Sequence, residues 1–167
     1  MNGNLDQQLD YTVAPAWWDP KNRTAIFDPS TIVCGVLVVG AGRVVFAGPD
    51  GIAFDLPAGG LGVTWVKMGL ACRLLATPDT YLVYLMPPVD GAPQLSKEAL
   101  AGIANALTTS GDLADLAELA GDLGALADIA GFASIAGHSM KTISSVVSMR
   151  RARRNRRALE HQFARII

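Results

Sequence analysis

Residues 31–86, TIVCGVLVVGAGRVVFAGPDGIAFDLPAGGLGVTWVKMGLACRLLATPDTYLVYLM, decide the fold. The stretch consists of short apolar segments rich in valine, isoleucine and leucine, separated by glycine, proline and aspartate. Such segments are typical of β-strands joined by hairpin turns. Six strands are predicted, at residues 31–39, 43–47, 52–56, 62–68, 70–76 and 80–86. The short connections predict an antiparallel meander that curls into a barrel or sandwich.

The residues after the last strand predict one helix that caps the sheet. Two consecutive prolines from Pro87 end the strand, because proline has no N–H to donate to a neighbour. Ser96 is a predicted N-cap, and Leu100, Ile103 and Leu107 follow on one helix face. We therefore expect an α+β domain in which this helix packs on the sheet and ends within residues 108–111.

The order of these segments resembles the bacterial pleckstrin-homology-like (PH-like) and GRAM families. The resemblance covers residues 25–107 and is carried by GRVVFAG, by the strand end DLP, by GVTWVKMGLACRLLATPDTYLVYLM and by the closing helix. It implies a seven-stranded bent barrel capped by a helix, with the seventh strand inside residues 23–28 around Ala25, Ile26 and Phe27. Some members bind phosphoinositide headgroups through basic residues after the first strand. Here Arg43 is the only charge in that loop, so no binding residue is carried over.

Residues 1–22 predict an N-terminal arm that precedes the PH-like domain of residues 23–107. The segment is polar and then interrupted by Pro15 and Pro20, each of which forces the preceding residue into extended geometry. Trp17 and Trp18 have two interpretations. The favoured one is that an indole closes the end of the β core, and the alternative is an aromatic surface for a ligand or a membrane interface.

Residues 108–167 predict a long amphipathic helical arm with a leucine-rich face and an acidic face. The predicted helix-interface residues are Leu113, Leu116, Leu119, Leu123, Leu126 and Ile129. The opposing acidic residues are Asp112, Asp115, Glu118, Asp122 and Asp128. Glycine inside a helix costs about 1 kcal/mol relative to alanine, so the four interior glycines of the arm favour close packing against another helix. They are Gly121, Gly124, Gly131 and Gly137. We expect a homo-oligomer or a helical protein partner; packing on the protein's own sheet, or a break near Gly131 or Gly137 that gives a hairpin, are the alternatives.

The end of the arm is strongly basic. Residues 1–149 contain 7 basic and 14 acidic residues, and residues 150–167 contain 7 basic residues and one acid. The predicted anion-binding or membrane-binding residues are Arg150, Arg151, Arg153, Arg154, Arg156, Arg157, Phe163 and Ile166. Arginines beside apolar side chains suit an anionic lipid surface. Nucleic acid is less favoured, because interleaved aromatic residues and a reading motif are missing. A solvated basic helix end, or pairing with the acidic face of a neighbouring arm, remain as further alternatives.

No residue pattern predicts catalysis or a bound cofactor. His138 and His161 stand alone without ligands at metal-binding spacing, and the glycine-rich VVGAGRVV lies in a hairpin rather than before a helix. Cys34 and Cys72 lie in apolar strands and are predicted to be core thiols rather than a disulfide. The sequence therefore predicts a cytoplasmic, non-enzymatic module whose PH-like domain presents a self-association arm. The alternatives are a peripheral protein on the inner face of the membrane, anchored by the arginine-rich helix, and a nucleic-acid-binding protein.

Overall fold

The computed structural model describes residues 11–22, 28–109 and 141–167. Within these ranges the chain forms seven strands in one open antiparallel sheet and two α-helices, which is an α+β fold. The strands are β1 (Tyr11–Trp18), β2 (Val33–Gly40), β3 (Arg43–Gly48), β4 (Gly51–Pro57), β5 (Gly62–Val66), β6 (Ala71–Ala76) and β7 (Asp79–Tyr84). The helices are α1 (Lys97–Thr109) and α2 (Lys141–Ile166). The strand order is β4-β3-β2-β1-β7-β6-β5.

The six strands predicted within residues 31–86 are confirmed as β2 to β7, with ends that shift by one or two residues. One difference affects the surface. The fourth predicted strand extends to Met68, but β5 ends at Val66 and a 3-10 turn follows at Lys67–Gly69. Gly69 at the end of this turn has a φ of +79°, which glycine adopts without steric cost. The chain therefore reverses two residues earlier than the apolar pattern indicates.

The N-terminal segment is part of the sheet, where the sequence analysis expects an arm. β1 pairs with β2 along its whole length, and with β7 at Trp17 and Trp18. It joins the β2–β4 half of the sheet to the β5–β7 half. At Pro15 the strand has a paired neighbour on the β2 side only, which is the edge-like setting that proline tolerates. The strand expected around residues 25–27 lies outside the described residues.

The two faces of β2 are both covered by helices. Val36 and Val38 lie in a cluster with α1, while Leu37 and Val39 lie in the main core with residues of α2. Successive residues of a strand point to opposite faces, so a strand covered on both faces needs apolar residues throughout. This explains why β2 is a continuous apolar run rather than an alternating one.

The structure confirms the predicted helix after the last strand, which is α1. The backbone N–H of Ala99 donates to Ser96 Oγ at 3.0 Å, so Ser96 caps the helix. Leu100, Ile103 and Leu107 are buried against β2 and β3. The described part of the helix extends to Thr109.

Helix α2 lies against the protein's own sheet. Ala152, Leu159 and Phe163 are buried in the same core as Leu37 and Phe46 of the sheet. This part of the predicted arm therefore follows the alternative in which the arm packs on the protein's own sheet. The apolar stripe of the helix contacts the apolar face of β1 and β2. The predicted interface residues Leu113 to Ile129 lie outside the described residues.

The two N-terminal tryptophans occupy different places. Trp18 packs with Phe46, Phe54 and Tyr81, with ring centroids 6.0, 5.6 and 6.3 Å away. Its Nε1 is buried and has no hydrogen-bond partner among the described residues. The Nε1 of Trp17 donates to the carbonyl of Pro93 at 2.8 Å. The interpretation of one indole as part of the core therefore holds for Trp18.

Candidate anion-binding surface

The position of α2 depends on a narrow apolar stripe. Ala152, Leu159 and Phe163 recur at intervals of seven and four residues, which places them on one side of a helix. Leu159 is fully buried, and Phe163 is 4% exposed. The Phe163 ring meets the Trp65 ring edge-on, with centroids 6.4 Å apart and planes at 69°. These contacts fix which side of the helix faces the sheet and which side faces solvent.

The solvent side of α2 carries four arginines, which we call the arginine face: Arg150, Arg153, Arg154 and Arg157. Their spacing of i, i+3, i+4 and i+7 puts them on one side of the helix, opposite the buried stripe. All four side chains are exposed. Seven residues of helix rise span about 10 Å, so four positive charges lie along a short line.

No acidic residue neutralises the arginine face within the described structure. Glu160 is the only acid in residues 150–167, and its carboxylate pairs with Arg156. None of the four arginines makes an ion pair with a described residue. Arginine keeps its charge at every physiological pH, so the face is permanently cationic.

Arg156 belongs to the fold rather than to this face. Its Nε donates to Glu160 Oε1 at 2.8 Å, and its guanidinium lies 5.5 Å from the centroid of the Trp65 ring. A Cβ added at Gly69 would overlap the same guanidinium, so the turn after β5 packs directly on this side chain. Arg156 thus connects α2 to β5 and to the turn by an ion pair, a cation–π contact and close packing.

Arg151 is half-buried at the border of the face. Burial first, and then the neighbouring charge of Arg154, lowers the pKa of the Arg151 guanidinium. The smaller of these two causes is the repulsion between the neighbouring cations Arg151 and Arg154. An anion placed among them would relieve this repulsion.

Phe163 and Ile166 do not lie on the surface where the sequence analysis places them. Phe163 is buried in the core, and Ile166 is partly buried against the same cluster. Both side chains contribute to the contact of α2 with the sheet. The apolar stripe of the helix is therefore covered by the protein itself. Neither Phe163 nor Ile166 is part of the arginine face.

Sequence reasoning treats the six clustered arginines as one group, whereas the structure divides them. The signal that separates them is the register relative to the buried stripe. Arg156 falls within four residues of both Ala152 and Leu159 and shares their side, whereas Arg157 falls on the opposite side. The sequence gives the position of each arginine around the helix relative to Ala152 and Leu159. It does not show that this side of the helix is the buried one, because that follows from the packing of α2 on the sheet.

The reactive side chains in the described part of the chain do not form a metal site. No group of three or more histidine, cysteine or acidic residues there has the arrangement needed to hold a metal ion. Cys34 and Cys72 are free and buried, as predicted. Burial raises the pKa of each thiol to about 12, which keeps it protonated and unreactive as a nucleophile.

Comparison with protein-family models, curated proteins and solved structures found no match to this chain. Neither described helix has an apolar stretch sufficient to cross a lipid bilayer.

Proposed function

We propose that this protein is a non-enzymatic binding module in which a PH-like body holds the arginine face of α2 toward an anionic partner. The expected PH-like identity is supported by the seven-strand antiparallel sheet followed by a helix. The single observation that carries the proposed function is the arrangement of Arg150, Arg153, Arg154 and Arg157. All four are exposed on one side of a helix whose other side is fixed in the core.

The partner proposed for this face is an anionic membrane surface on the cytoplasmic side. Rigid presentation matters here, because a helix already docked on a sheet loses little conformational freedom when it binds. Each basic residue near such a surface contributes about 1 kcal/mol. Four arginines then contribute about 4 kcal/mol, which is about a thousandfold in affinity. Phe163 is buried, so the helix binds by charge and not by inserting its own apolar stripe.

Self-association through Leu113 to Ile129 remains the second part of the proposal. Its support is the leucine repeat with an opposing acidic face in the sequence. A dimer would place two arginine faces in one particle. Two linked binding sites raise the apparent affinity for a surface without any new contact.

The experiment that tests the proposed function is flotation of the full chain with vesicles that contain phosphatidylserine, at low and high salt. A variant with glutamine at all four positions of the arginine face keeps Arg156 and so keeps the contact with the sheet. We expect this variant to lose binding and to keep the wild-type circular dichroism spectrum. Lys21→Gln, which removes an exposed cation outside α2, is the control and should bind like wild type.

Two outcomes would reject this function. One is equal binding by the wild type and the four-glutamine variant. The other is absence of wild-type binding to anionic vesicles together with salt-dependent binding to random duplex DNA. The second outcome would assign the same arginines to nucleic acid, for which the affinity falls steeply with salt.

A further inference from the structure

The turn after β5 exposes an apolar side chain to an unusual degree. Met68 is 88% exposed, compared with 41% for Leu75 and 59% for Ile167, the other large exposed apolar residues in the described ranges. The backbone of Met68 has a φ of 55° and a ψ of 31°, in the left-handed region. This residue therefore combines a strained backbone with an unburied side chain.

Neither property of Met68 benefits the folded protein in water. The left-handed conformation is unfavourable for residues with a Cβ, and glycine or asparagine suits it better. An exposed methionine contributes no burial to the core. Backbone strain of this kind is found at binding sites more often than elsewhere. A single exposed apolar residue is ordinary in itself, and what distinguishes Met68 is the position of its turn.

The turn lies against the arginine-bearing part of α2. Gly69, the next residue, touches the Arg156 guanidinium, which in turn lies over the Trp65 ring of β5. At about 100° of rotation per residue, Arg153 lies about 60° and Arg157 about 100° from Arg156 around the helix, so these two are the members of the arginine face nearest to Arg156. The turn that carries Met68 thus lies at the border of the arginine face, where Arg153 and Arg157 are the members of that face nearest to Arg156.

We infer that Met68 is the apolar tip of the membrane-binding surface, and that it enters the headgroup region while Arg153 and Arg157 bind lipid phosphates. This inference rests on the proposed function and names the lipid bilayer as the partner that fits both features. Methionine is unbranched and flexible, which suits insertion into an irregular apolar medium. Cations beside an apolar side chain are the combination that interfacial binding uses. The strained turn holds the side chain outward before the membrane is reached.

The two contributions differ in their response to salt. Salt screens the attraction between the arginines and the anionic lipids. It does not weaken burial of the methionine side chain. Met68 should therefore account for most of the binding that remains at high salt.

The test compares full-length variants in flotation with phosphatidylserine vesicles at 50 and at about 500 mM salt, against phosphatidylcholine vesicles. Met68→Gly removes the side chain and also relieves the backbone, so the variant should fold at least as stably as wild type. We expect it to bind about tenfold more weakly at high salt, because the burial of the methionine side chain is lost. Leu75→Ala, which shortens an exposed apolar residue on β6, is the matched control and should bind like wild type.

A second comparison removes equal charge from the two ends of the proposed surface. Replacing Arg153 and Arg157 by glutamine should weaken binding more than replacing Arg150 and Arg154, because the first pair lies nearer to Arg156, which contacts the turn that carries Met68. A Met68→Cys variant carrying an environment-sensitive dye should shift its emission to the blue with anionic vesicles. The native thiols are buried and will not take up the dye. A dye at Leu75→Cys should show no shift.

The outcomes separate this inference from the function on which it rests. If the wild type binds anionic vesicles, but Met68→Gly binds equally well at both salt levels and the dye shows no shift, the role of Met68 is refuted and the arginine face stands. If the wild type binds only duplex DNA, both the proposed function and the insertion of Met68 are refuted.

Discussion

The prediction that most depends on the docking of α2 is the effect of Leu159→Ala on stability. Leu159 is fully buried in the core shared by the helix and the sheet. Truncation of a buried leucine to alanine removes its transfer free energy and leaves a cavity, at a total cost of about 2–5 kcal/mol. With no exposure at all, Leu159 should not fall at the lower end of this range, and we expect a loss of about 3–4 kcal/mol. That is a large fraction of the roughly 5–15 kcal/mol that stabilises a typical domain.

Urea unfolding of the full chain, followed by tryptophan fluorescence, measures this loss. Trp65 contacts Phe163 and Arg156 of α2, so its emission reports directly on the separation of the helix from the sheet. Arg157→Ala is the matched control, because it lies two residues away on the exposed side and introduces a good helix former. We expect the control to change the free energy of unfolding by less than about 0.5 kcal/mol. A loss below about 1 kcal/mol for Leu159→Ala would refute the docking of α2.

Three further predictions concern pH, the two roles of neighbouring arginines, and assembly. Burial raises the pKa of both cysteine thiols from 9.0 to about 12. Above pH 9 the unfolded chain therefore releases protons that the folded chain keeps, and the free energy of unfolding falls by about 1.4 kcal/mol per pH unit for each thiol. Urea unfolding at pH 8 and 10 should show this fall in the wild type and a smaller one when both cysteines are alanine; equal falls would contradict it. Arg156→Gln should lower stability by about 1 kcal/mol, because it removes an ion pair and a cation–π contact, whereas Arg157→Gln should weaken vesicle binding about fivefold and leave stability unchanged. The reverse pattern in thermal melts and flotation would show that the two roles are misassigned. Leu119→Asp with Leu123→Asp should convert the protein to a monomer in size-exclusion chromatography with light scattering, and an unchanged mass would reject these leucines as the interface.

The sequence predicts the strands of the meander well because their turn residues are local signals. Glycine and proline at positions such as 40–42 and 49–51 fix hairpins regardless of what lies beyond them. The sequence does not predict β1, because the local signal there argues against a strand. Pro15 is a local sign against a strand, and the edge-like position that accommodates it exists only once β2 and β7 have assembled around β1.

The arginine face and Met68 can be predicted from the sequence only in part. The periodicity of α2 shows an apolar side and a basic side, but it does not specify what covers the apolar side. A membrane and the apolar face of the protein's own sheet could each bury Phe163, and the sequence does not distinguish between them. The structure assigns Phe163 to the sheet and leaves the arginines outside. Met68 has no sequence signal, because its exposure follows from the early end of β5 at Val66.

The most direct test of the central claim is thiol labelling of Arg157→Cys and Leu159→Cys, each in the full-length chain. The claim is that α2 is fixed to the sheet by one side and displays its arginines on the other. Cysteine at position 157 should react with a maleimide at the rate of an exposed thiol, and cysteine at position 159 should be protected until urea unfolds the protein. Mass spectrometry of the labelled peptides measures both rates. Fast and equal labelling at the two positions in the folded protein would contradict the account.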